Sequence, residues 1–276
     1  MGLRIATNIA SQTVQKNLRE VSSQGKDSLE KLSSGKRITK AADDAAGLAI
    51  AKNLEAQTRG LRAATRNAND GVSLVQTAEG GLNETSNILT RLRELTVQAA
   101  SDTVGDTERG FLDKEFQQLT SEVDRIAEAT TFNGSNVLNG EGDTKDIQVG
   151  SFDGEQNRIT FDAGETNATA DSIGVASASI ADKDSALDSM AQVDEAIEKV
   201  SGFRANLGAI QSRLESTVSN LEVQTLNQES ARSVIEDVDV AEESAKLASN
   251  NVIKNSGIST LAQANGIPNS ALRLVG

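Results

Sequence analysis

Residues 54–92 read LEAQTRGLRAATRNANDGVSLVQTAEGGLNETSNILTRL, and within them Leu54, Leu61, Ala68, Val75, Leu82 and Leu89 recur every seven positions. A seven-residue apolar period marks a helix whose seam packs along a neighbouring helix. The positions three residues further on, Gln57, Ala64, Gly71, Ala78, Thr85 and Leu92, are mostly small and suit close approach along a narrow stripe. The pattern predicts one long, thin helix over residues 44–100. Gly71, Gly80 and Gly81 each cost that helix roughly 1 kcal/mol against alanine, so packing and not intrinsic propensity must hold it.

Two further seams lie downstream. Leu112, Phe116, Leu119, Val123 and Ile126 alternate steps of four and three and predict a helix over residues 106–129. Val193, Val200, Leu207, Leu214 and Leu221 again repeat every seven, so the three segments can close one bundle. Between them Asn133-Gly134, Asn139-Gly140 and Asp153-Gly154 mark turns. Ile147 and Val149 before the last of these, and Ile159 and Phe161 after it, alternate with polar neighbours as a β-hairpin does. Residues 163–181, rich in Ala, Ser, Thr and Asp with little to bury, read as a short exposed connection.

The chain ends share a character. Ile5, Ile9, Val14, Leu18, Val21, Leu29 and Leu32 fall at near-helical spacing, as do Val234, Ile235, Val238, Ala241, Ala245, Val252, Ile253, Ile258 and Leu261. Each end is amphipathic with few strong anchors, too little to fold well alone, and is expected to be mobile in the monomer and helical on association. Pro268 is expected past the last helix, where it breaks nothing.

Composition narrows the chemistry. The chain has 276 residues, of which 37% are hydrophobic, and its aromatic residues are six Phe with no Trp or Tyr. Aromatic side chains carry much of the apolar area of most cores, so this chain must bury surface in thin layers along helix seams or against neighbouring copies. With no His and no Cys there is no imidazole base, no thiolate, no zinc site and no disulfide framework, and no cofactor motif is read. An enzyme is not expected. A net charge of −13 repels nucleic-acid phosphates and anionic lipid. The first residues hold no apolar core of a Sec signal peptide, and no apolar run approaches the length of a membrane span. Gly35-Lys36 lacks the flanking spacing of a phosphate loop, and Asn167-Ala168-Thr169 fits a sequon short enough to arise by chance.

Against that background several stretches resemble the bacterial flagellins: LSSGKRI at 32–38, DDAAGLAI at 43–50, RNANDGVS at 66–73, QTAEG at 76–80, RELTVQA at 93–99, FNG at 132–134, SARSVIED at 230–237 and LAQAN at 261–265. They cover both terminal thirds in the family's order. The residues also stand without the family: Ser33-Ser34-Gly35 ends a helix with a glycine suited to a left-handed cap, and Asp43-Asp44 starts one.

The resemblance implies a mainly α subunit of long antiparallel helices, folded back so that the N- and C-termini pair as a coiled coil, with a small β-hairpin in the middle. The expected divisions are 1–43 and 234–276 for an inner coiled-coil domain, 44–162 and 182–233 for an outer bundle with the hairpin, and 163–181 for the connection. Larger members insert outer domains at that connection, so the filament should be thin and smooth. The implied function is the structural subunit of the extracellular flagellar filament used for motility, exported unfolded through the flagellar type III channel. Leu18, Val21, Ile253 and Leu261 are the expected filament-assembly residues. The implied partners are other flagellin copies, a secretion chaperone on the C-terminal helices, a filament cap, a hook–filament junction protein and an innate immune Toll-like receptor. The family's receptor contacts match at Arg91, Leu95 and Glu115, while Thr90 stands where receptor-reading members have Gln. Val240 replaces a usual Tyr or Phe, and the chain ends Leu272-Arg273-Leu274-Val275-Gly276 in place of a Leu-Leu pair. A junction protein shares the N-terminal pattern but is expected to diverge from SARSVIED; a secreted adhesin would bring a long apolar segment or a variable binding domain.

Overall fold

The computed structural model describes the backbone of residues 7–275 and the side chains of residues 7–266. Its elements run α1 (Ile9–Ser34), α2 (Ala45–Ala99), α3 (Asp106–Ala129), β1 (Thr131–Phe132), β2 (Ser135–Asn136), β3 (Lys145–Gln148), a 3₁₀ turn (Glu155–Asn157), β4 (Arg158–Phe161), α4 (Ala170–Ile173), α5 (Lys183–Glu236) and α6 (Val240–Val275). The fold is the mainly α architecture with paired termini that the sequence suggests. The chain forms two compact units, one of residues 1–56 with 227–276 and one of residues 57–226. These borders fall at 56/57 and 226/227, against the expected 43/44 and 233/234.

In the unit of residues 57–226 the three seams meet. Ala68, Val75, Leu82 and Leu89, with Ala78 and Leu92, are buried on α2 against Phe116 and Val123 of α3 and Val193, Val200, Leu207 and Leu214 of α5. Three ion pairs in opposite sequence order, Glu79–Arg204, Arg93–Asp194 and Asp102–Lys183, show that α5 runs antiparallel to α2, and Arg91 reaches Glu115 on α3. The expected hairpin is β3–β4, with Ile147 opposite Ile159. A second hairpin, β1–β2, turns at Asn133 (φ 51°) and Gly134 (φ 76°), the successive positive φ values a two-residue hairpin turn requires. Gly71 lets the β3–β4 hairpin sit on α2, since a Cβ there would come 2.6 Å from Ile147 Cδ1.

The expectation of an exposed connection over 163–181 is corrected here. Ala163, Thr166, Ala168, Ala170, Ile173, Val175, Ala178 and Ile180 are all buried. Small side chains bring the backbone close to α3, and α3 supplies the partners that the buried peptide groups need. Asp124 accepts from Ala170 N at 2.7 Å, Asp113 from Ile180 N at 2.8 Å, and Gln117 donates to Ala178 O at 2.9 Å. At the α2–α3 corner the buried Arg109 guanidinium donates to the carbonyls of Ala99 (2.8 Å) and Val104 (3.1 Å) and to Asp106 (2.8 Å).

In the other unit, α1 and α6 pair antiparallel. Asn8 Nδ2 donates to Ala264 O, Ser11 Oγ to Asn265 Oδ1, and Leu18 lies against Gly257. Two details differ from expectation. Val234 and Ile235 belong to α5, and the chain breaks at 237–239 before Asp239 caps α6 through Ala241 N and Glu242 N. Pro268 lies inside α6, where the helix continues to Val275 at the cost of the one hydrogen bond that a proline nitrogen cannot donate. Ile5 lies outside the described residues.

Candidate assembly surface

The two linkers that flank the terminal helices meet each other. Gly35 ends α1 in the left-handed conformation (φ 72°), as its place after Ser33-Ser34 predicts. The chain then pairs Lys36 with Asp237 as a short antiparallel bridge, with Arg37 N donating to Glu236 O (2.7 Å) and Val238 N to Gly35 O (3.0 Å). The Lys36 ammonium pairs with the buried Glu236 carboxylate, and the Arg37 guanidinium donates to Ile235 O. The stretches LSSGKRI and SARSVIED, about two hundred residues apart in sequence, are therefore one structural joint. Spacing alone gave no sign of this pairing, because the charges involved look like an ordinary solvated face.

The start of α2 is capped as expected. Asp44 Oδ1 accepts from Gly47 N at 2.8 Å, and Asp43 Oδ2 accepts from Thr39 N, Thr39 Oγ1 and Lys40 N. Those bonds, the Thr39 backbone first, hold the Asp43 carboxyl below the usual carboxylate range. Lys40 is raised above the ordinary lysine value by its hydrogen bond to Glu30, with Asp27 also near.

Of the four expected assembly residues, three converge. Leu18 and Val21 of α1 and Ile253 of α6 line one groove with Val14 and Gly257. A Cβ on Gly257 would stand 2.7 Å from Leu18 Cδ2, so the two helix backbones approach closely there. Leu261 is half-buried further along α6 and is not part of that groove. Around the groove, apolar side chains remain in water: Ile9 is 58% exposed, Leu29 55%, Val252 65%, Ile253 50% and Ile258 53%. Among the described residues, α1 and α6 bury only Ser11, Ser28, Glu243 and Ala264. The pair is thus held by small and polar contacts while its larger apolar groups are only partly covered.

The expected receptor contacts separate. Arg91 and Glu115 are exposed and bonded to each other at 2.8 Å, with Arg91 also on Glu94; the Glu94 and Glu115 hydrogen bonds raise the Arg91 pKa. Leu95 is fully buried in the bundle, where α3 covers this side of α2, and this corrects its reading as a surface contact. Its place one residue before the seam position hid that burial. No group of acidic residues suited to a metal ion occurs among the described residues.

Two family descriptions match the chain: the bacterial flagellin N-terminal helical region over residues 5–143 and the bacterial flagellin C-terminal helical region over residues 190–275. It is 41% identical over 268 residues to a flagellin of Halalkalibacterium halodurans, covering 97% of this chain and 98% of that one. It is 36% identical over 284 residues to the flagellar filament 33 kDa core protein of Treponema phagedenis, at 97% and 98% coverage. The crystal structure of Bacillus cereus flagellin superposes with a TM-score of 0.51 at 32% identity, covering 56% of this chain and 88% of that one.

Proposed function

The chain belongs to the bacterial flagellin family and is a structural subunit of the flagellar filament used for motility, and from that premise we propose that the terminal pair α1/α6 drives its polymerisation. The observation that carries this reading is the contrast in burial. The bundle has a core of fully covered Leu, Val and Phe side chains such as Leu82, Leu89, Val75 and Phe116, whereas α1 and α6 bury no large apolar side chain among the described residues and leave Ile9, Val252, Ile253 and Ile258 half or more exposed. Packing further copies around the pair removes that surface from water. At roughly 25 cal/mol per Å² of apolar area, each 1,000 Å² covered contributes about 25 kcal/mol before the ordering of the helices is subtracted. Folding of the termini is thereby coupled to assembly, with Leu18, Val21, Ile253 and Leu261 among the residues that become covered.

The same reading extends to export and partners. The chain leaves the cell unfolded through the flagellar export channel and works outside it, and until then a secretion chaperone covers the apolar face of α6. A filament cap and a hook–filament junction protein complete the set, alongside other flagellin copies. The experiment is direct. Heat-dissociated protein is cooled with short filament seeds and viewed by negative-stain electron microscopy beside a variant lacking residues 235–276. The full chain is expected to elongate the seeds and the truncated one to stay monomeric; elongation by the truncated chain refutes the role of the pair.

A further inference from the structure

Three Asn-Gly steps occur in the chain, at 133–134, 139–140 and 265–266, and the fold treats them differently. At such a step the glycine nitrogen can attack the side-chain carbonyl carbon of the asparagine, because no side chain on the glycine stands in the way. The reaction needs a glycine nitrogen free of hydrogen bonds and an asparagine side chain folded forward over it.

Two of the steps fail these needs. Asn133 is exposed, but its φ of 51° is left-handed. In that region ψ lies near about +47°, which turns Cβ to the far side of the following nitrogen, so the reacting atoms face apart. Asn265-Gly266 lies within α6, where a helical N–H is engaged by a carbonyl one turn back. Asn265 Oδ1 is moreover held by the Ser11 hydroxyl at 2.8 Å.

Asn139-Gly140 meets both needs. Asn139 Oδ1 accepts from the Glu141 nitrogen at 3.1 Å, which folds the side chain forward across the Gly140 peptide. The same bond polarises the carbonyl under attack and stabilises the oxyanion that forms there. Asn139 Nδ2, the leaving nitrogen, donates to Glu141 Oε2 at 3.4 Å. Gly140 N makes no hydrogen bond among the described residues, and both residues of the step are half-exposed to water.

We propose that Asn139-Gly140 is a site of spontaneous deamidation. The Gly140 nitrogen, its proton lost to water, bonds to Asn139 Cγ; the Cγ–Nδ2 bond breaks, and Nδ2 takes up a proton from water and leaves as ammonia. Water then opens the succinimide at either carbonyl and leaves aspartate or an isoaspartyl link at position 139. Water is the only co-reactant. The neighbouring Leu138 is fully buried and its carbonyl accepts from Ala168 N at 2.8 Å, while Gly140 packs directly on Asn167. An isoaspartyl link lengthens the backbone between these two contacts and so loosens the hold of residues 138–140 on the buried segment 163–181. A subunit kept in a polymer thereby carries a record of its age, although the chemistry itself does not depend on assembly.

The full chain, shown to be folded by circular dichroism, is held in warm, mildly alkaline buffer, sampled over time, digested and read by mass spectrometry and by labelling with an isoaspartate methyltransferase. Position 139 is expected to convert at least about tenfold faster than 133 or 265, the order being set by the orientation of the reacting atoms. In urea-unfolded chain the three positions are expected to convert at similar rates. Asn139→Gln should remove most of the isoaspartate label from the folded chain. Conversion of 133 or 265 as fast as 139 in the folded chain overturns the proposal. So does the same order of rates in urea, or a folded chain that keeps its amide at 139 while the unfolded chain loses it.

Discussion

Replacing Gly257 with Val tests whether close approach of α1 and α6 controls assembly. A Cβ at that position meets Leu18 Cδ2 at 2.7 Å and Leu18 Cγ at 3.2 Å, and valine adds two methyls beyond it. Relieving such overlap in a packed site costs about 1–3 kcal/mol, while exchanging glycine for valine in a helix returns about 0.4 kcal/mol of propensity. The net loss is about 0.6–2.6 kcal/mol per subunit. At a factor of ten per 1.4 kcal/mol, the critical concentration for elongation should rise about 3- to 70-fold. Gly25 on α1 provides the control, because a Cβ there meets nothing within 4 Å. Gly25→Val should leave elongation within about twofold of the unaltered chain, given the small propensity change. The assay is sedimentation of polymer from monomer at graded concentration on a fixed number of seeds. Adding Leu18→Ala to Gly257→Val should recover part of the loss, since the two side chains compete for one space. Equal critical concentrations for Gly257→Val and the unaltered chain would refute the argument, and so would an equal loss in Gly25→Val.

Other substitutions probe the remaining contacts. Arg109→Ala leaves the Ala99 and Val104 carbonyls without the guanidinium and should cost about 3 kcal/mol, lowering the melting temperature by about 6–12 °C for a unit of this size; circular dichroism reads it, and a shift under about 2 °C refutes it. Leu95→Ala should destabilise the bundle by about 2–5 kcal/mol while Arg91→Ala, at an exposed ion pair, changes stability by no more than about 1 kcal/mol; chemical denaturation compares them, and the reverse order would place Leu95 at the surface. Because the folded Asp43 carboxyl lies below its ordinary value, the folded chain binds that proton less readily than the unfolded one. Its contribution is therefore present above about pH 3.9 and lost as the pH falls through the lower folded value, so Asp43→Asn should flatten the acid limb of the melting-temperature profile, and an unchanged limb counts against the cap.

Much of this architecture was legible because it rests on periodicity. The seven-residue repeat from Leu54 to Leu89 places α2, and the same repeat from Val193 to Leu221 places the core of α5; both seams are buried where they meet, apart from the half-buried Leu54. The β3–β4 hairpin was legible from alternation around Asp153-Gly154. What escaped depends on hydrogen bonds and not on apolar area. Residues 163–181 look exposed when apolar side chains are weighed, yet Asp113, Asp124 and Gln117 satisfy their peptide groups and draw them into the core. Leu95 reads as a surface contact from the family resemblance, since it lies one residue off the seven-residue seam, and only the packing of the bundle decides its burial. The joint of Lys36 with Glu236 was illegible because no local pattern links charges so far apart.

That joint also bears on how the terminal pair acts. Beyond the partly covered Leu18–Gly257 groove, little apolar burial anchors α1 and α6 within one chain: their buried side chains, among the described residues, are two serines, a glutamate and an alanine. Burial of Ser11 and Ser28 adds almost no apolar transfer energy, and Asn8 and Ser11 contribute hydrogen bonds whose net worth is about 1 kcal/mol each. Two helices of 26 and 36 residues lose far more conformational entropy than that on ordering. The linker joint lowers this cost by fixing the end of α1 against the start of α6, so that pairing begins from a closed turn and not from two free ends. On the proposed assembly the joint sets the register of the pair, and copies covering Ile9, Val252, Ile253 and Ile258 would supply the energy that keeps it. A chain with Lys36→Met should still assemble but nucleate more slowly, because the partner copies restore stability while the register must be found by search; polymerisation lag times at matched final polymer mass measure this, and an unchanged lag would assign the register to the helix seam alone.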